Sequence, residues 1–101
     1  MSTINGTSKS ETLTGTAGDD DIRSRGGSDY ILAGDGDDYV NSTLNGYYSY
    51  SGSLIAFGEG GNDKITGTSG NDTLYGGIGN DRLFALAGDN VLRGGDGNDY
   101  L

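Results

Sequence analysis

The chain has 101 residues, enough for one domain, and an apolar content of 32% with no Trp and two Phe is thin for a conventional core. Fifteen acidic against six basic residues give a formal charge of −9, which argues against nucleic acid or an anionic membrane as partner and suits cations. No Cys and no His means no disulfide scaffold, no thiolate or imidazole metal site and no ordinary general base, so the chain is not expected to be an enzyme.

The N-terminal stretch MSTINGTSKSETL carries neither a basic region nor an apolar run, so no Sec-type signal peptide is read there. No stretch approaches the roughly 18 apolar residues of a membrane span. Glycine is the commonest residue, at 21, and Gly-rich chains without a period are usually disordered, so periodicity decides.

A nine-residue period is present, numbered here so that Gly76 is position 1 of GGIGNDRLF. Residues 1–14 hold a degenerate N-terminal coil or cap, GTSKSETLT from Gly6, with Lys9 and Glu11 where other units carry Gly and Asp. Residues 15–41 form a first repeat block, GTAGDDDIR, SRGGSDYIL and AGDGDDYVN. Residues 42–57, STLNGYYSYSGSLIAF, break the register as a Tyr/Ser-rich insertion. Residues 58–101 form a second block: GEGGNDKIT, GTSGNDTLY, GGIGNDRLF, ALAGDNVLR and GGDGNDYL.

Position 8 is aliphatic in every unit: Leu13, Ile22, Ile31, Val40, Ile65, Leu74, Leu83, Leu92 and Leu101, with Ile4 extending the row backward. Position 6 is Asp20, Asp29, Asp38, Asp63, Asp72, Asp81 and Asp99, with Glu11 and Asn90 as departures. A unit this short, with one inward aliphatic flanked by strand-favouring residues, fits a turn of about six residues and a strand of about three. Gly at positions 1, 2 and 4 and Asn or Asp at position 5 suit the turn. Such units stack into an all-β parallel β-solenoid in which each strand pairs with the one two units away.

Stacking also brings one carboxylate per unit to the same register, and these repel until something positive lies between them. Hard carboxylate and carbonyl oxygens without sulfur or imidazole select Ca²⁺, and flexible Gly loops suit its variable coordination better than magnesium's octahedron. For one Asp in a Gly/Asn/Asp turn, an Asx-turn without metal is the simpler reading. Seven in phase point to calcium. Asp19, Asp21, Asp35, Asp37, Asp89 and Asp96 lie off position 6 and are read as solvated, with Asp19, Asp37 and Asp89 supporting the turn.

GGIGNDRLF and GGDGNDYL resemble the nonapeptide G-G-x-G-x-D-x-U-x of RTX (repeats-in-toxin) proteins, the hemolysin-type calcium-binding repeats. The resemblance spans about residues 6–41 and 58–101. It implies a parallel β-roll with calcium held between turns on the same side, by position-6 carboxylates and by carbonyls of the glycine loops. Carried over, the pairs are Asp20 with Asp38, Asp63 with Asp81, and Asp81 with Asp99, with a weaker site at Asp72 and Asn90. Asp29 faces Glu11, beside which Lys9 has the wrong sign. The loop glycines are Gly15, Gly18, Gly34, Gly36, Gly58, Gly61, Gly67, Gly70, Gly76, Gly77, Gly79, Gly94, Gly95 and Gly97. About three to four well-formed Ca²⁺ sites are expected.

The resemblance further implies type I secretion and calcium-dependent folding outside the cell or at its surface. The alternative is a protomer of a calcium-dependent filament, surface layer or adhesin, stacking head to tail; a longer parent chain is the simpler account of an open solenoid end. Tyr47, Tyr48 and Tyr50 could bind a glycan or protein, but a protruding loop or two distorted coils, with Leu54, Ile55 and Phe57 packed under the solenoid, is the plainer reading of 42–57.

Overall fold

In the computed structural model, residues 2–7, 9–25, 27–41, 52–68, 70–85 and 88–101 are described. They form ten short strands: β1 (Ser2–Asn5), β2 (Thr12–Thr14), β3 (Asp20–Arg23), β4 (Asp29–Leu32), β5 (Tyr39–Asn41), β6 (Leu54–Phe57), β7 (Lys64–Thr66), β8 (Thr73–Tyr75), β9 (Arg82–Phe84) and β10 (Val91–Arg93). Odd strands make one parallel sheet, β1-β3-β5-β7-β9, and even strands the other, β10-β8-β6-β4-β2. Each turn carries the chain from one sheet to the other, and two units complete a coil. This is the β-roll that the nonapeptide period predicts.

The position-8 side chains meet between the sheets, and Ile22, Ile31, Val40, Ile65, Leu74 and Leu83 are fully buried. Period-2 alternation explains why one aliphatic per unit suffices: its neighbours point outward, as in the exposed-buried-intermediate pattern of Lys64–Thr66. A position-8 side chain is covered by coils on both sides of it. Leu101, expected in the row, is instead 58% exposed, and the last coil joins its sheet only through a bridge from Arg82 to Tyr100.

Partners lie 18 residues apart, as in Ile22 with Val40 and Ile65 with Leu83. Across the insertion the offset becomes 25, pairing Val40 with Ile65 and Ile31 with Ala56. Among the described residues β6 stands between β5 and β7 along the chain and joins the even sheet, and the rest of the segment read as a loop or two distorted coils, residues 42–51, lies outside them. Leu54 is buried in the core, Ile55 points outward, and Phe57 lies half-buried on the outer face, stacked on Tyr75 with ring centroids 4.8 Å apart. Tyr47, Tyr48 and Tyr50 lie outside the described residues.

Candidate metal centre

Position 6 sits where the turn enters its strand, so its side chain is held at one of the two edges of the roll. One edge carries Asp20, Asp38, Asp63, Asp81 and Asp99 in successive coils. The amide of each donates to Oδ1 of the next: Asp20 to Asp38, Asp38 to Asp63, Asp63 to Asp81 and Asp81 to Asp99, all at 2.8 Å. The other edge carries Glu11, Asp29, Leu54, Asp72 and Asn90. There the ladder breaks: the Asp29 amide donates to the Ser53 carbonyl because Leu54 offers no carboxylate.

Position 5 builds a second ladder in the opposite sense. The amides of Asp37, Asn62, Asn80 and Asn98 donate to the side chains of Asp19, Asp37, Asn62 and Asn80 in the preceding coil, at 2.7–2.8 Å. These residues tie coils together, beyond shaping their own turns. Asp21, another off-register acid, pairs with Arg23 at 3.1 Å on the strand.

The pairs expected from spacing are therefore neighbours on shared edges: Asp20 with Asp38, Asp63 with Asp81, Asp81 with Asp99, Asp72 with Asn90, and Glu11 with Asp29. The structure adds Asp38 with Asp63, which an 18-residue rule misses because the insertion lengthens that interval to 25.

What happens at the second carboxylate oxygen depends on position 2. In the turn at Gly15, the Thr16 amide donates to Asp20 Oδ2 at 2.7 Å, and its hydroxyl lies 2.8 Å from Oδ1. Thr68 treats Asp72 likewise, with amide and hydroxyl at 2.9 and 2.8 Å, and the Thr7 amide donates to Glu11. In the other turns whose position 2 is described, it is left-handed: Arg25 (φ 63°), Gly34 (89°), Glu59 (70°), Gly77 (92°) and Gly95 (86°). A left-handed conformation at a residue with a side chain is uncommon and marks a turn held by its surroundings. Among the described residues, Oδ2 of Asp38, Asp63 and Asp81 is buried with no hydrogen-bond partner, and those residues are 3%, 2% and 1% exposed.

A buried carboxylate oxygen without a partner is costly in its charged form. Burial accordingly pushes Asp29 up to about 6, Asp38 to about 7 and Asp63 to about 8, and raises Asp81 as well, with facing acids adding to the effect.

Glycine keeps this space open. A Cβ on Gly76 would stand 2.5 Å from Asp81 Oδ2 and 2.7 Å from the Gly94 carbonyl oxygen of the next coil. Gly58 is placed in the same way against Asp63 Oδ2 and the Gly76 carbonyl, and Gly94 abuts Asp99 Oδ2, as do Gly15 and Gly67 their own turns' aspartates. The position-4 glycines Gly61, Gly70, Gly79 and Gly97 instead lie directly on the backbone of the coil before them, at Gly36, Gly52, Gly61 and Gly79. Among the described residues no three carboxylates converge as a cage of side chains. A cation here would have to be completed by main-chain carbonyls, and an all-oxygen set of unpartnered carboxylates and carbonyls beside flexible loops fits calcium.

The sequence profile of the RTX calcium-binding nonapeptide repeat matches the chain in four copies, over residues 5–40, 57–92 and 75–101. The chain belongs to the RTX calcium-binding nonapeptide repeat family. No curated protein and no solved structure matches it. As an RTX module the chain binds calcium through its repeats, and the family is typically one of secreted proteins. Among the described residues no helix is long and apolar enough to cross a membrane.

Proposed function

We propose that this RTX module is a calcium-operated folding element of an exported protein, structural rather than catalytic, that stays unfolded at low calcium and forms its roll outside the cell. One observation carries this reading: Asp38, Asp63 and Asp81 each bury an unpartnered carboxylate oxygen in consecutive coils of one edge. Each such oxygen opposes folding at neutral pH until a cation reaches it. The two walls of each gap belong to different coils and come together only in the stacked state, so metal binding and folding are one equilibrium.

Circular dichroism and tyrosine fluorescence, recorded in EGTA and again with millimolar calcium, test it. Strand signal and compaction are expected only with calcium. A full strand signal in EGTA at pH 7.5 sinks the reading. End-to-end stacking of copies is the alternative; a sedimentation coefficient that rises with protein concentration in calcium would favour it.

A further inference from the structure

We propose that calcium is confined to one edge of the roll, in the three gaps above Asp38, Asp63 and Asp81, and that a threonine at position 2 closes a turn against it. The inference rests on the calcium-operated reading above and deepens it. Among the described turns, position 2 takes two forms: a threonine outside the left-handed region that caps its carboxylate, or a left-handed residue that does not. Where Thr16 or Thr68 stands, its amide and hydroxyl already occupy both oxygens of Asp20 or Asp72. The same hydroxyl of Thr68 also lies 2.7 Å from the Gly52 carbonyl of the preceding coil, a second acceptor for its one proton. The threonine thus gives the two oxygens of the aspartate, one through its amide and one through its hydroxyl, the contacts that an ion would otherwise supply.

The opposite edge is closed by further substitutions. Thr7 caps Glu11, and the guanidinium of Arg25 reaches the Gly6 carbonyl at 3.2 Å, a fixed cation in that gap. Leu54 removes the carboxylate that would face Asp29 and Asp72. On the first edge, by contrast, the residues at position 2 after Thr16 are Gly34, Glu59, Gly77 and Gly95, all left-handed, and none caps its aspartate. Ala33 stands at position 1 of the Asp38 turn, where Gly58 and Gly76 leave space beside their carboxylates. Its methyl narrows that gap, which fills last.

Native mass spectrometry of the full chain at saturating calcium is expected to count three ions. Thr16→Gly removes the hydroxyl from Asp20 Oδ1 and frees position 2 to turn left-handed as at Gly34, which takes its amide off Oδ2, and is expected to raise the count to four, whereas Thr16→Ser, which keeps the hydroxyl, leaves three. A Thr16→Gly protein that folds in calcium yet still holds three overturns the role of threonine. Substituting gadolinium for calcium locates the ions independently of any variant. Amides of residues 34–38, 58–63 and 76–81 should broaden beyond detection, with those of 24–29 and 67–72 preserved. Broadening on both edges overturns the one-edge assignment even if Thr16→Gly does not fold. A chain that folds but binds no ion defeats the calcium-operated reading itself, an outcome distinct from either of these.

Discussion

The amide of Asp63 donates to Oδ1 of Asp81 across 18 residues of chain at 2.8 Å, while Oδ2 of the same Asp81 is buried with no partner. One carboxylate therefore does two separable things: it joins two coils, and it holds an uncompensated charge at the gap beyond.

Substitution at Asp81 separates them. Asp81→Asn keeps an oxygen to accept from Asp63 and removes the charge, so the folded fraction without calcium is expected to rise while the affinity for calcium falls at least about tenfold, roughly 1.4 kcal/mol. Asp81→Ala also strands the Asp63 amide, a further cost of about 1–3 kcal/mol. Calcium titrations followed by circular dichroism should rank folding in chelator as Asn, parent, Ala; Ala above Asn would contradict the two-role account.

Acid should stand in for calcium. In the unfolded chain these aspartates titrate near the ordinary 3.8, whereas in the metal-free roll burial lifts Asp38 to about 7 and Asp63 to about 8. The folded state therefore binds more protons between those values. Its stability from these groups is fully present below about pH 4 and lost as pH rises through about 8. In EGTA, strand signal is expected to grow as pH is lowered from 8 to 5. A loss of structure over that range would reverse the sign and refute it.

Leu83 is fully buried between the sheets and touches no gap. Leu83→Ala should cost about 2–5 kcal/mol of packing. Because folding and binding are coupled, and with three ions sharing the cost, the calcium midpoint for folding should move up roughly 3- to 17-fold. The number of ions bound at saturation is expected to stay the same. A variant that lost ions without a shift in midpoint would show that core and gaps are not linked.

Two glycines at the same repeat position should respond differently to alanine. Gly61 has φ +92° and its Cβ would strike the Gly36 carbonyl, whereas a Cβ on Gly18 would meet only Thr16 Oγ1 at 3.9 Å. Gly61→Ala is expected to lose at least the ~1–2 kcal/mol of a left-handed residue, plus the displacement of the coil beneath. Gly18→Ala should be neutral or stabilising by up to about 1 kcal/mol. Thermal melts in saturating calcium compare them directly.

The period made the fold legible. An aliphatic at position 8 and turn-formers at positions 1–6 leave few other ways to bury Ile22, Ile65 or Leu83, and the same spacing sets the carboxylates in phase. Two things were hidden. The Asp38–Asp63 pairing depends on where residues 42–57 rejoin the stack, and Leu54 and Ala56 disguise that coil by placing the large side chain at position 6 and the small one at position 8. The second is position 2. Backbone handedness at Arg25 and Glu59 cannot be read from residue types that normally avoid it. Yet GTS, GTA and GTS recur at residues 6–8, 15–17 and 67–69, and that signal was available in the composition of the turns.

The two ladders of side-chain bonds run in opposite directions, position 6 accepting from the coil before and position 5 accepting from the coil after. The latest coil of a growing stack thus presents a free amide at one position and a free acceptor at the next, a template that only a coil in the correct register can complete. Assembly is thereby ratcheted: each added coil both seats itself and locks its predecessor, and a slip by a single residue would forfeit both bonds at once.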